Sequence, residues 1–234
     1  SSFQGDAART GKGSIDVWGE ATLAQFDSMG KDGNFSVYYV GADYMATDNM
    51  LVGVLAQFDS FKSESGSRVG DGDGDGFMIG PYATVRLADR LYADGRFAWG
   101  TSENSISPLG SFVDNFDTER MLFSGSLTGD YKVNETTNLR PTVAFRTLAE
   151  TQKAYVDSLG VFIPQGDVSV SELSFSPRVE KAFELNNGSS WRAYGSAEGI
   201  YSMGDDAKEI FQDEVRLRLE AGADWSAGQN LSAS

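Results

Sequence analysis

Residues 35–61, FSVYYVGADYMATDNMLVGVLAQFDSF, constrain the fold more than any other stretch. Tyr38, Val40, Ala42 and Tyr44 share one parity, with Gly41 and Asp43 on the other. Further on, Met50, Val52, Val54, Ala56 and Phe58 share a parity, with Gly53, Gln57 and Asp59 opposite. A strand points successive side chains to opposite faces, so each segment carries one apolar face and one polar or small face. Tyr39, Leu51 and Leu55 break the alternation. Thr47-Asp48-Asn49, between the segments, is turn chemistry, because Asp and Asn bond their own backbone and tolerate left-handed dihedrals. The stretch reads as a hairpin.

The same alternation returns at residues 15–26, 77–87, 91–100, 121–131, 139–148, 173–183, 191–201 and 215–225, and residues 231–234 read as the start of an eleventh strand. The intervening links are of two kinds. Residues 45–49, 88–90, 132–138, 184–190 and 226–230 are short; residues 27–34, 60–76, 101–120, 149–172 and 202–214 are mostly long. Because the two kinds alternate, long loops leave one end of the strands and short turns the other. That asymmetry belongs to barrels in an outer membrane and is not demanded of a Greek-key sandwich.

Large aromatic residues fall at the two ends of the apolar face. Tyr44, Tyr131, Phe183, Trp191 and Trp225 lie at the short-turn end. Phe58, Phe77, Trp99, Phe145, Phe175 and Tyr201 lie at the long-loop end. Aromatic rings favour the two headgroup levels of a bilayer, whereas a soluble core places them where burial is greatest. The opposite face of the later strands carries Arg140, Arg146, Arg178, Glu180, Arg192, Glu198, Arg216, Arg218, Glu220 and Asp224. These residues are expected to line a watery lumen, either as a structural charge ladder or as a polar cradle for a linker segment. Pro81, Pro141 and Pro177 fall inside strands, where each removes a ladder hydrogen bond, so a bulge is expected at each.

Composition narrows the chemistry. The chain of 234 residues suits one large all-β domain, here an antiparallel up-and-down transmembrane β-barrel. It has no cysteine and no histidine, which removes thiol chemistry, the usual catalytic triads and the commonest metal ligand. A formal net charge of -15 argues against a nucleic-acid partner. Mean hydropathy is -0.31 and no apolar run reaches the ~18 residues of a membrane helix, but barrel strands carry a weak hydropathy signal. Residues 1–14 lack the apolar core of a signal peptide and read as a flexible linker.

Three further patterns are set aside. In GDGDGDG, residues 70–76, the twelfth position from Asp71 is Tyr82 where a calcium loop needs a bidentate Glu. The segment is expected to be a solvated, flexible loop tip, and no metal or cofactor site is assigned. The Asn-x-Ser/Thr triplets at Asn34, Asn134, Asn187 and Asn230 are turn composition, and no carboxylate pair stands at a telling spacing.

VGADYMATDNMLVGVLAQFDSF, FMIGPYATVRLADRLYADGRFAWG and LRLEAGADWSAGQNLS resemble the β-barrel translocator domain of bacterial autotransporters over residues 15 to 234. The resemblance rests on a Gly-x-Asp-Tyr strand end, a Leu-Val-Gly strand start and Gly-Ala-Asp-Trp before a tight turn. It implies a barrel of about twelve strands in the bacterial outer membrane, of which the last one or two are expected to be missing here. It also implies a non-enzymatic role in type V secretion: anchoring an N-terminal passenger and helping it to the cell surface. The implied partners are outer-membrane lipid, the passenger with its linker, and the barrel-assembly machinery. A porin-like channel for small solutes is the alternative. An outer-membrane hydrolase lacks a histidine base, and a soluble β-sandwich adhesin would bury the apolar face.

Overall fold

The computed structural model describes residues 13–28, 31–65, 69–184, 189–204, 213–227 and 231–233; at residues 26–28, 31, 184, 189, 225–227 and 231–233 it describes the backbone alone. Among the described residues, fourteen strands run in order: β1 Ile15–Ser28, β2 Lys31–Thr47, β3 Met50–Ser65, β4 Asp71–Ala88, β5 Leu91–Ser107, β6 Asp114–Gly129, β7 Tyr131–Lys132, β8 Thr137–Gln152, β9 Tyr155–Val156, β10 Phe162–Ile163, β11 Gly166–Glu184, β12 Ser189–Met203, β13 Val215–Ala227 and β14 Leu231–Ala233. One twelve-stranded sheet follows the path β1-β2-β3-β4-β5-β6-β8-β11-β12-β13-β14, with β7 beside β8, and β9 pairs β10 separately. Apart from these short strands, every neighbour on the path is the next in sequence, so the sheet is an up-and-down meander.

Turn chemistry fixes the hairpins locally. The Asn49 N–H donates to Thr47 Oγ1 at 3.2 Å in the β2–β3 turn. Asn134 Oδ1 accepts from the N–H and hydroxyl of Thr136, at 3.0 and 3.2 Å, in the link before β8. The β2–β3 ladder shifts register between Met45 and Thr47, so the extra residue is Ala46, next to the turn.

The strands run well past the apolar bands that announce them. Residues 60–76 were expected to be a loop, yet β3 continues to Ser65 and β4 begins at Asp71. GDGDGDG is therefore largely strand, contrary to the expectation of a flexible tip. Likewise β5 reaches Ser107, β6 starts at Asp114, and the stretch 149–172 contains the end of β8, the β9–β10 hairpin and the start of β11. Antiparallel pairing satisfies the backbone whatever the side chains, so a polar continuation extends the ladder without an apolar signal. The expected bulge at Pro177 is also absent toward β12. Phe175 pairs Gly199 and Arg178 pairs Ser196 at one constant offset, so no residue is inserted. Proline removes a donor but its fixed φ suits an extended chain. Asn187, Asn230 and residues 1–12 lie outside the described residues.

Contacts divide the chain into two compact units: Ser1–Ala83, Arg96–Phe123 and Leu148–Ser169, and Thr84–Gly95, Ser124–Thr147 and Val170–Ser234. Burial is inverted in each. In the first, Val54, Phe58, Phe77, Phe97 and Trp99 are exposed, while Gln57, Met78, Tyr82, Ala98 and Thr118, of opposite parity, are buried. In the second, Leu127, Val143, Leu173, Phe175, Val179 and Phe183 are exposed, while Thr84, Glu172, Glu180 and Ser202 are buried. Leu217 and Leu219 stand 70 % and 73 % exposed; Arg216, just before them, is half-buried, and Arg218, between them, is exposed. A sandwich core would be the reverse. A contiguous face of large apolar side chains is stable against an apolar medium and not against water.

Candidate functional site

The polar face of the second unit is organised around two carboxylates. Glu180 on β11 holds Arg178 of its own strand at 2.9 Å (Nε to Oε1) and Arg140 of β8 at 3.3 Å (Nη1 to Oε1). Arg140 also lies 4.0 Å from Asp130, and Arg178 lies 3.9 Å from Glu220. Glu172 is gripped from both sides by Arg146 of β8 and Arg216 of β13, and Arg216 Nη2 also donates to Ser202 Oγ at 3.1 Å. Buried carboxylates are stable only when charge and lone pairs are both met, and two guanidiniums apiece meet them. Arg218 pairs Glu198 at 2.9 Å. Arg192 stands opposite Asp224 in the β12–β13 register. The charged residues singled out on this face in the sequence thus fall into separate groups: Arg140, Arg178 and Glu220 around Glu180, Arg146 and Arg216 around Glu172, Arg218 with Glu198, and Arg192 opposite Asp224 in register.

Aromatic–glycine contacts complete it. Tyr194 lies over Gly222, its register partner on β13, where a side chain would collide with the ring. The Arg178 guanidinium also lies over the Tyr194 ring, 3.7 Å from its centroid. Asp94 accepts from Thr84 Oγ1 at 2.7 Å and from Ser126 Oγ at 3.2 Å.

The first unit holds a second polar-face cluster that the sequence pattern did not single out. Arg120 Nη1 meets Asp59 Oδ2 at 2.7 Å, and Gln57 Nε2 donates to Asp59 Oδ1 at 3.0 Å. Arg96 Nη2 donates to Gln57 Oε1 at 2.9 Å, with its guanidinium 5.4 Å from the Tyr39 ring centroid. Nearer the β2–β3 turn, Trp18 Nε1 donates to the Tyr82 hydroxyl at 2.9 Å; Trp18 covers Gly41 and Tyr82 covers Gly53. Met45, Leu51, Leu55 and Tyr82 form a small core there, with Trp18 and Tyr39 packed against it. The breaks in alternation at Tyr39, Leu51 and Leu55 were the signal for this cluster.

On the apolar face, Tyr44, Phe58, Phe77, Trp99, Tyr131, Phe175, Trp191 and Tyr201 are exposed, and Phe145 is half-buried. Phe58 and Phe77 contact one another at 5.2 Å. Trp225 pairs Trp191 in the backbone register, but its side chain lies outside the description. Among the described residues, no group of three or more acidic residues is arranged to hold a metal ion.

The family model of the autotransporter beta-domain matches residues 16–234. Among solved structures, the β domain of the Bordetella autotransporter BrkA is similar at a TM-score of 0.73 and 15% identity, covering 93% of this chain and 88% of that one. The translocator domain of the autotransporter NalP from Neisseria meningitidis follows at 0.68 and 14%, covering 97% and 84%. At such identities the likeness shows the fold, an antiparallel β-barrel. No curated protein matches the sequence.

Proposed function

The chain belongs to the autotransporter beta-domain family, and from that premise we propose how its two faces divide the work of an outer-membrane translocator. It is an outer-membrane β-barrel of type V secretion that anchors an N-terminal passenger and helps carry it to the cell surface; the porin alternative is set aside. In our reading, the apolar face meets lipid and the polar face lines the water path. Lipid tolerates no unpaired backbone polar group, a demand that closure of the sheet into a barrel would meet.

The inverted burial carries this reading. Exposed Leu173, Phe175 and Val179 alternate on β11 with a partly or wholly buried Ser174, Arg178 and Glu180, as a wall between hydrocarbon and water requires. The aromatic residues Tyr44, Tyr131, Phe183, Trp191 and Trp225 would mark one headgroup level, and Phe58, Phe77, Trp99, Phe145, Phe175 and Tyr201 the other. The paired arginines and carboxylates of β8, β11, β12 and β13 would form the wall along which the linker lies. Residues 1–14 would be part of that linker, residues 15–234 the barrel, and the barrel-assembly machinery its assembly partner. The role is non-enzymatic.

The test is surface display. A passenger-bearing precursor should expose its passenger to external protease in intact cells, with the barrel running as a heat-modifiable band. A wide, permanent conductance with the passenger segment in place would overturn the reading.

A further inference from the structure

Lys181 carries a charge on the face that the proposed function sets against lipid. On β11 it shares parity with Leu173, Phe175, Val179 and Phe183, and like them it is exposed. The arginines of β8, β11, β12 and β13 described above have the opposite parity. Among the described residues Lys181 makes no ion pair; its ammonium lies 5.2 Å from the centroid of the Phe183 ring. A cation on a lipid face is costly, and it is stable where its side chain can reach an anionic group at the membrane surface. Lys181 has that reach. It stands two residues, ~7 Å at ~3.3 Å per residue, inside Phe183 at the short-turn row of aromatics. That is about the length of its own side chain.

The neighbouring strand leaves room beside it. Lys181 faces Ala193 of β12, Val179 faces Gly195 and Phe175 faces Gly199. Toward β13, Ala193 faces Ala223 and Gly195 faces Ala221, while Ala197 and Gly199 face Leu219 and Leu217. On this face β12 therefore carries nothing larger than a methyl group between Trp191 and Tyr201. The large side chains of β11 stand on one side and Leu217 and Leu219 on the other. The result is a trough ~33 Å long at ~3.3 Å per residue, two strands wide beside Lys181.

Glycine weakens a strand interior and is kept there for a bulge, a bend or a close approach. The β12–β13 register holds one offset from Ser189 to Tyr201, so no residue bulges. A Cβ on Gly195 would meet only the Glu220 carbonyl oxygen, at 3.9 Å, and one on Gly199 would meet nothing within 4 Å. The approach that these glycines permit is therefore not made by the described part of this chain.

Charge and shape together name the occupant. The trough is apolar and continuous with the lipid-facing surface, as an acyl chain requires, and its one cation sits at the headgroup end, as a phosphate requires. A zwitterionic headgroup brings an ammonium of its own, so an unpaired lysine selects a headgroup of net negative charge. We propose that Lys181 and the β12 trough form a site for one anionic glycerophospholipid of the leaflet at the short-turn end. Its phosphate lies on the Lys181 ammonium and an acyl chain runs along Ala193, Gly195, Ala197 and Gly199. The inference rests on the reading that the apolar face meets lipid, and adds a site to it.

Native mass spectrometry of the passenger-bearing precursor tests it, after release from bilayer discs of equal phosphatidylglycerol and phosphatidylethanolamine. One phosphatidylglycerol should stay bound. Lys181→Gln should lower its retention severalfold. Gly195→Leu with Gly199→Leu, which fills the trough and keeps the cation, should do the same. Lys62→Gln, at an exposed lysine paired with Glu64 at 2.6 Å, should not. Heat-modifiable migration shows which variants are folded, and Lys181→Gln decides the matter where the double variant is not. Equal retention of the two lipids, unchanged retention in Lys181→Gln, or a second copy of the chain bound in place of lipid overturns the site. Surface display of the passenger is read in parallel. Its failure with the lipid retained removes the translocator reading and leaves the site; its success with no lipid retained removes the site alone.

Discussion

Arg120 of β6 and Asp59 of β3 meet at 2.7 Å over Gly76 of β4, in the space that a side chain at that position would fill. Asn104 occupies the corresponding space over Gly74. In GDGDGDG the aspartates therefore take one face of β4, and the glycines leave room on the other for neighbours to reach across. Both members of the ion pair are largely buried, with side chains 15 % and 10 % exposed. Removing one partner of such a pair typically costs about 3 kcal/mol or more. Gly76→Ala and Asp59→Asn should each lower the unfolding free energy of the detergent-folded barrel by that order. Asp73→Asn, on the exposed face, should change it by less than about 0.5 kcal/mol. Equal effects from all three would remove the pair's role.

Alternation of side chains carried most of the fold in the sequence, and it failed where side chains act across more than one strand. The strands and their two faces follow from parity, and the β2–β3 turn from Asp48 and Asn49 between two such runs. The ends of the strands did not, because Lys62, Ser63 and Glu64 extend β3 with no apolar signal. The charged residues of β8, β11, β12 and β13 were visible because arginines recur at one parity. Their pairing was not: Glu172 joins β8 to β13, and nothing local to Glu172 announces either partner. The Arg120–Asp59 pair was hidden for the same reason, although a run of alternating glycines facing long polar side chains would have been the clue.

Gly80 and Gly100 permit a close approach of β4 and β5. A Cβ on Gly80 would overlap the Phe97 carbonyl oxygen, and one on Gly100 would overlap that of Phe77. Backbone cannot yield as a side chain can, so Gly80→Ala and Gly100→Ala should sharply reduce the yield of heat-modifiable barrel. Gly95→Ala, where a Cβ meets nothing within 4 Å, should fold normally. Normal yields for all three would show that β4 and β5 are not held this closely in the membrane.

Lipid and water should distinguish neighbouring residues of β8. Val143 is exposed on the apolar face; Thr142, of opposite parity, shares a hydrogen bond of 3.0 Å with Thr128. Arginine on a lipid face near the midplane costs roughly 2–4 kcal/mol, whereas a lumen position tolerates it. Val143→Arg should therefore lower folding stability in lipid vesicles by that amount, and Thr142→Arg by about 1 kcal/mol, the value of a lost hydrogen bond. The reverse order would exchange the two faces.

Tryptophan fluorescence reads the same division at the headgroup levels. Trp99 and Trp191 are exposed on the apolar face, while Trp18, of opposite parity to the exposed Ile15 and Val17 of its own strand, is half-buried and donates to Tyr82. In variants that keep one tryptophan each and carry phenylalanine at the others, brominated lipids should quench Trp99 and Trp191 strongly and Trp18 weakly. Bromines placed near the headgroups should quench more than bromines at the chain ends, because indole rings settle where one edge is wet. Strong quenching of Trp18 would mean that the Trp18–Tyr82 pair faces lipid, and the polar-face cluster around Gly41 and Gly53 could then not line a water path.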